Sequence, residues 1–172
     1  MCDVNSTSPK LALASSSTSA YSQTFIRQHI DKLPFNVQPI YREGVGWVAG
    51  NGCGINPSSN VAYRMVRKLL RPRHVSAFDE NLAQWLVGNH IKALLAEFGP
   101  IGVAAMGGCA LAQTPLIVHF HGYDASRKVI LEQYRSSYRR MFEQAHAVIV
   151  VSRPMSASLE VMGMPGLSLI HI

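Results

Sequence analysis

The stretch Pro115–Ser126, PLIVHFHGYDAS, decides how the rest of the chain is read. Its first half is apolar, with Leu116, Ile117 and Val118 in succession, and its second half holds His119, His121, Gly122 and Asp124. An apolar run without strict alternation is what a strand covered on both faces looks like, because neither face needs polar groups. Packing accounts for that half. The polar half needs another reason, and in an open parallel sheet ligands bind beyond the carboxyl ends of the strands. The stretch reads as sheet core running into the rim of a site.

Working outward, similar apolar runs occur at Leu11–Ser15 (LALAS), Asn36–Tyr41 (NVQPIY), Ile91–Phe98 (IKALLAEF) and Ala147–Ser152 (AVIVVS). Helical spacing lies between them. TFIRQHIDKL puts Phe25, Ile26, His29, Ile30 and Leu33 on one side, and ENLAQWLVGNHI, Glu80–Ile91, follows the same rule. GPIGVAAMGGCALAQ, Gly99–Gln113, carries Pro100 in its first turn, where a missing N–H costs nothing. The longest is RKVILEQYRSSYRRMFEQA, with Val129, Ile130, Tyr134, Tyr138, Met141 and Phe142 as its buried stripe. Alternating strands and helices imply right-handed crossovers. The expected fold is α/β, a Rossmann-like doubly wound parallel sheet with helices on both faces. Residues 11–166 form the domain, after a disordered amino-terminal tail of residues 1–10.

The 172 residues suit one such domain, and 48% hydrophobic with 15% charged residues favours a well-buried core. A formal charge of +6 points to an anionic partner: nucleic acid, a phosphate ligand or a lipid headgroup. Cys2, Cys53 and Cys109 show no CxxC spacing, which argues against a disulfide framework or zinc knuckle and fits a reducing compartment. The start, MCDVNSTSPK, has no basic region followed by an apolar run, and nothing reaches the roughly 18 apolar residues of a membrane span. The expected location is cytoplasmic, with peripheral contact at the inner membrane left open.

That contact would come from VAYRMVRKLLRPRH, Val61–His74. Arg64, Arg67, Lys68 and Arg71 fall on one helical face and Val61, Met65, Val66, Leu69 and Leu70 on the other. Such a helix can lie on an anionic bilayer or be an ordinary solvated surface helix. No aromatic stacking residues interleave with the charges, which argues against nucleic acid. Just before it, REGVGWVAGNGCGINPSSN (Arg42–Asn60) has glycines at 44, 46, 50, 52 and 54. They spread over too long a stretch for a dinucleotide fingerprint and read as a mobile surface loop.

Four strands finish in polar groups on what must be one edge: Ser15–Thr24 (SSSTSAYSQT), Glu97-Phe98-Gly99, His121-Gly122-Tyr123-Asp124 and Ser152-Arg153. Helix capping would explain Ser22, Ser126 and Ser152. It does not explain Glu97, nor a histidine followed by Gly122, where a backbone can be approached closely. His119 and His121, two apart on a strand, share a face and could ligate a metal with Asp124, although an isolated HxH is a weak metal signal. His119 is read as packed beneath the site and His121 as pointing at the ligand. No GxSxG elbow and no Walker motif occur.

At this point the chain resembles a family. PLIVHFHGYDAS, followed by a helix and AHAVIVVSRPMSASLEVMGMP, looks like the amino-terminal domain of GT-B glycosyltransferases of family 4, with its HG(Y/F)D stretch, VS strand end and G-x-P. LLAEFGPIGVAAM matches the Glu-Phe-Gly turn of members that build polysaccharides, and SAYSQTFIRQHIDKLP resembles the S-E-T-F-I element with Gln23 in place of glutamate. The resemblance implies a hexosyltransferase: retaining transfer from a nucleotide-sugar donor to a glycan or lipid-linked acceptor, with no metal or other cofactor. No D-x-D motif occurs. It places His121 beside the reacting sugar, and Glu97, Gly99, Gly122, Asp124, Ser22, Thr24 and Ser152 as substrate-binding residues. Serines stand where many relatives have a Gly-Gly loop after the first strand. The closing LSLIHI, Leu167–Ile172, is similar to a reading frame of a sequencing-adapter end and is expected to be non-native, with the donor domain lying outside this chain and the fragment inactive alone. Two other readings stay open: a metal-dependent hydrolase using His119, His121 and Asp124, and a non-catalytic sugar- or phosphate-binding domain.

Overall fold

A computed structural model describes residues 8–16, 24–44, 46–56, 76–164 and 169–171. The elements run β1 (Lys10–Ser15), α1 (Thr24–Lys32), β2 (Asn36–Glu43), β3 (Gly46–Ala49), α2 (Ala77–Gly88), β4 (Ile91–Glu97) and α3 (Gly99–Ala112). They continue as β5 (Leu116–His119), α4 (Gly122–Ser126), α5 (Lys128–Gln144), β6 (Ala147–Val150), α6 (Arg153–Glu160) and β7 (Leu169–His171). One seven-stranded sheet has the order β3-β2-β1-β4-β5-β6-β7. Every neighbouring pair is parallel except β2 with β3. The winding direction reverses between β1 and β4, so the crevice beyond Ser15 and Glu97 is the topological switch point of the sheet.

Alternation along the strands builds two apolar layers. Ala12, Ala14, Leu94, Ala96, Val118, Phe120, Val148 and Val150 share a cluster with Leu82 and Leu86 of α2, Ile101 and Ala105 of α3 and Tyr138, Met141 and Phe142 of α5. Leu11, Leu13 and Leu95 join Ile26 of α1 in the second cluster, with Phe25, Ile30, Leu33, Ile117 and Ile149 packed against it. His119 and His121 alternate with Val118 and Phe120, which puts both histidines on the side of α1. That is what brings α1 to the site.

Several expectations are corrected. The glycine-rich stretch is a hairpin: β3 pairs with β2 from Ile40↔Ala49 to Glu43↔Gly46, and Val48 bridges to Gly54. Trp47 is 3% exposed, with the Arg42 guanidinium 5.2 Å from its ring centroid, and Ile55 is buried. Burying those two apolar side chains gives this segment a reason to fold that the glycine count concealed. The α5 stripe begins later than expected: Tyr138, Met141 and Phe142 are buried, whereas Val129 is 74% exposed. Helix α2 starts three residues before Glu80, at Ala77, because Ser76 and Asp79 form a capping box. Lys10, assigned to the tail, opens β1, and the Pro9 carbonyl accepts the Asn36 N–H at 3.1 Å. The backbone of Leu169–His171 pairs in parallel with β6 from Val148↔Leu169 to Val150↔His171. Ser22 and the basic stretch with Arg64, Arg67, Lys68 and Arg71 lie outside the described residues.

Candidate active site

Glu97 ends β4 at the switch point, and its side chain is wholly buried. Three imidazoles converge on it. His29 Nδ1 of α1 lies 2.6 Å from Oε1, His119 Nδ1 lies 3.1 Å from Oε2, and His121 Nε2 lies 2.9 Å from Oε2. An ionised carboxylate only accepts, so each ring donates an N–H to it. Burial by itself would raise the Glu97 carboxyl, but hydrogen bonds from His119, His121 and His29, with the charge interaction with His119, outweigh it and hold the group at about 2. Glu97 is therefore an anion at neutral pH beneath the site.

Exposure grades the three rings. The side chain of His29 is 30% exposed, that of His121 17% and that of His119 7%. His119 sits underneath, while His121 and His29 face outward. Phe25 and Phe98 flank the His121 ring, with centroids 4.3 and 4.7 Å away, and the His119 ring is 4.2 Å away on a third side. The His121 ring is held by its bond to Glu97 and by these three ring contacts. The His119 Nε2 and the Ser15 Oγ are both buried without a hydrogen-bond partner.

A second carboxylate organises the backbone. Asp124 is 1% exposed; its Oδ2 accepts the Gly99 N–H at 2.6 Å and its Oδ1 accepts the His121 N–H at 2.8 Å. One side chain thus clamps the turn after β4 to the turn after β5. Burial pushes the Asp124 carboxyl up, against the pull of those N–H donors. Between the two carboxylates, Phe98 adopts φ +81° and ψ 142°, a conformation an L-residue rarely takes. Its N–H donates to the His119 carbonyl at 2.9 Å, so the strained turn is pinned from both ends.

Of the residues singled out on sequence, the structure brings together His119, His121, Glu97, Gly99 and Asp124. Glu97 and Asp124, expected to line the acceptor side, are both buried. Asp124 spends both oxygens on backbone N–H groups, so the ligand set His119, His121 and Asp124 does not form. The groups that could jointly hold a metal among the described residues are His29, Glu97 and His119. Gly122 and Thr24 are exposed, and a Cβ at Gly122 would meet nothing within 4 Å. Ser152 caps α6 by accepting the Met155 N–H at 3.3 Å. Ser126 is not a cap for α5; its hydroxyl donates to the Gly122 carbonyl inside α4.

His29 is the residue the sequence reading passed over. Its signal was visible: a titratable ring in the middle of the apolar stripe of α1 must meet a polar partner beneath that helix. A cleft of about 360 Å³ beside Cys109, Thr114 and His146 lies at the opposite, amino edge, away from every strand end described above. Burial pushes the Cys109 thiol there up to about 12, which leaves it unreactive.

The model of Glycosyltransferase Family 4 matches residues 47–171, and the chain belongs to that family. The fold is the Rossmann-like, amino-terminal type of GT-B enzymes. An amylovoran biosynthesis glycosyltransferase, AmsK from Erwinia amylovora, is 32% identical over 100 residues, which cover 57% of this chain and 23% of that protein. Among solved structures, the UDP-N-acetylglucosamine 2-epimerase from Rickettsia bellii superposes with a TM-score of 0.52 over 95% of this chain and 44% of its own. Its sequence is 9% identical, a likeness of fold alone. The chain spans under half the length of either relative.

Proposed function

We propose that this chain forms the acceptor-side wall of a retaining glycosyltransferase that moves a hexose from a nucleotide-sugar to a glycan or lipid-linked acceptor in polysaccharide assembly. The family and the AmsK relative support the reaction class. The observation that carries the reading is the Glu97–His121 bond of 2.9 Å at the switch point of the sheet. An imidazole tied to a buried carboxylate and bracketed by two phenyl rings is preorganised. It can orient a sugar hydroxyl, or steady charge developing at the anomeric carbon, without reorganising during the reaction. No resident metal enters this scheme.

Transfer needs a cleft that excludes water from donor and acceptor together, and this chain supplies one wall of it. The nucleotide is gripped elsewhere, by a second domain. Calorimetry with UDP- and GDP-sugars on this chain tests that division: weak or no heat is expected, and tight binding would put the donor site here and end the two-domain reading. Peripheral contact with an anionic membrane through Arg64, Arg67, Lys68 and Arg71 belongs to the same proposal. Changing those four to glutamine should abolish sedimentation with anionic liposomes, since each basic residue near such a surface contributes about 1 kcal/mol. No helix among the described residues is long and apolar enough to cross a membrane.

A further inference from the structure

The cluster around Glu97 has a capacity that sugar transfer does not use. His29, Glu97 and His119 each offer a ligand atom, all within 4.8 Å of one another, and His121 Nε2 approaches the same carboxylate at 2.9 Å. We propose that this cluster is a binding site for a borderline divalent cation of the Zn²⁺ class. The donors come from three places in the chain, α1, the end of β4 and the end of β5, so the fold itself assembles them.

Three considerations carry the inference. The donor set is imidazole nitrogen and carboxylate oxygen without thiolate, which suits Zn²⁺, Co²⁺ and Ni²⁺ and not Mg²⁺ or Ca²⁺, whose shells are oxygen. The His119 ring donates Nδ1–H to a carboxylate while its buried Nε2 makes no hydrogen bond, although the residue is only 5% exposed. Because that Nε2 is uncommitted, the ring proton can move to it and leave Nδ1, the nitrogen facing Glu97, free to ligate an ion. Finally, the 30% exposure of the His29 side chain gives an ion an entry path from solvent. Where the glycosyl-transfer reading holds, an ion here would draw Glu97 away from His121 and inhibit; the binding itself does not rest on that reading.

The experiment is calorimetric titration of the chain with ZnCl₂ alone, in a buffer that does not chelate, with MgCl₂ as the comparison. One equivalent of Zn²⁺ should bind and Mg²⁺ should not. His29→Asn, whose folding is checked by circular dichroism, should weaken Zn²⁺ at least about tenfold. His146→Gln and His90→Gln, outside the cluster, should leave it unchanged. Titration with CoCl₂ reads the ligands independently: a visible absorption band of an imidazole-ligated site should appear in the unsubstituted chain and fade in His29→Asn. Absence of saturable Zn²⁺ binding overturns the proposal, as does Zn²⁺ affinity unchanged in His29→Asn or Mg²⁺ binding of equal strength.

Discussion

His29 and Glu97 stand 68 positions apart in the chain, and their side chains meet at 2.6 Å. That bond ties α1, the single described helix packed into the second apolar layer, to the end of a central strand. Through Glu97 it is coupled to His119 and His121, so helix position and site geometry are set together. Glu97 organises side chains, and Asp124 organises backbone by holding the Gly99 and His121 N–H groups.

The first prediction concerns acid. Glu97 falls from its ordinary 4.5 to about 2 on folding, so it contributes stability that is fully present above about pH 4.5 and is lost as pH drops through about 2. Urea unfolding of the unsubstituted chain and of Glu97→Gln should show a difference that shrinks by on the order of 3 kcal/mol across that window. A difference independent of pH would mean the carboxylate is not held by its histidines.

Phe98 provides a test of strain. Replacing it with alanine or glycine removes the same ring contacts, but only glycine accepts φ +81° without cost. Phe98→Gly should therefore be more stable than Phe98→Ala by about 1 kcal/mol, the reverse of the usual order. Equal stabilities would show that the turn is unstrained.

At Gly99 the constraint is space. A Cβ there would lie 2.6 Å from the Tyr138 hydroxyl and closer still to the Phe120 ring. Gly99→Ala should lower stability by about 1–3 kcal/mol and loosen the Asp124 clamp that uses the Gly99 N–H. Thermal melts would record it, and an unshifted melting temperature would mean that the β4 turn relaxes freely.

His119→Ala should act on the fold, lowering stability by about 1–3 kcal/mol, because the residue is 5% exposed and supports Glu97 from below. In the complete enzyme its effect on turnover should be smaller than that of His121→Ala. Chemical denaturation of each variant separates the two roles.

Strands β1, β2, β4, β5 and β6 and their order along the chain were legible because doubly covered strands leave unbroken apolar runs, as in Leu11–Ala14 and Leu116–Val118, whereas β3 and β7 were not. The placing of Glu97, His121 and Asp124 at one edge followed from the same reading. What could not be read was side-chain partnership over long separations. Nothing local says that His29 meets Glu97, or that Asp124 turns both oxygens to backbone N–H groups instead of to a ligand. Trp47 and Ile55 show the opposite failure: their burial was announced by type, yet five neighbouring glycines drew attention to flexibility.

The most direct test of the account is turnover of the complete enzyme carrying His121→Ala, measured with its nucleotide-sugar donor alongside a check that the variant is folded. If His121, held by Glu97, meets the reacting sugar, the rate should fall at least about a hundredfold while stability changes little. A folded variant that retains turnover within a few-fold of the original would contradict the central claim.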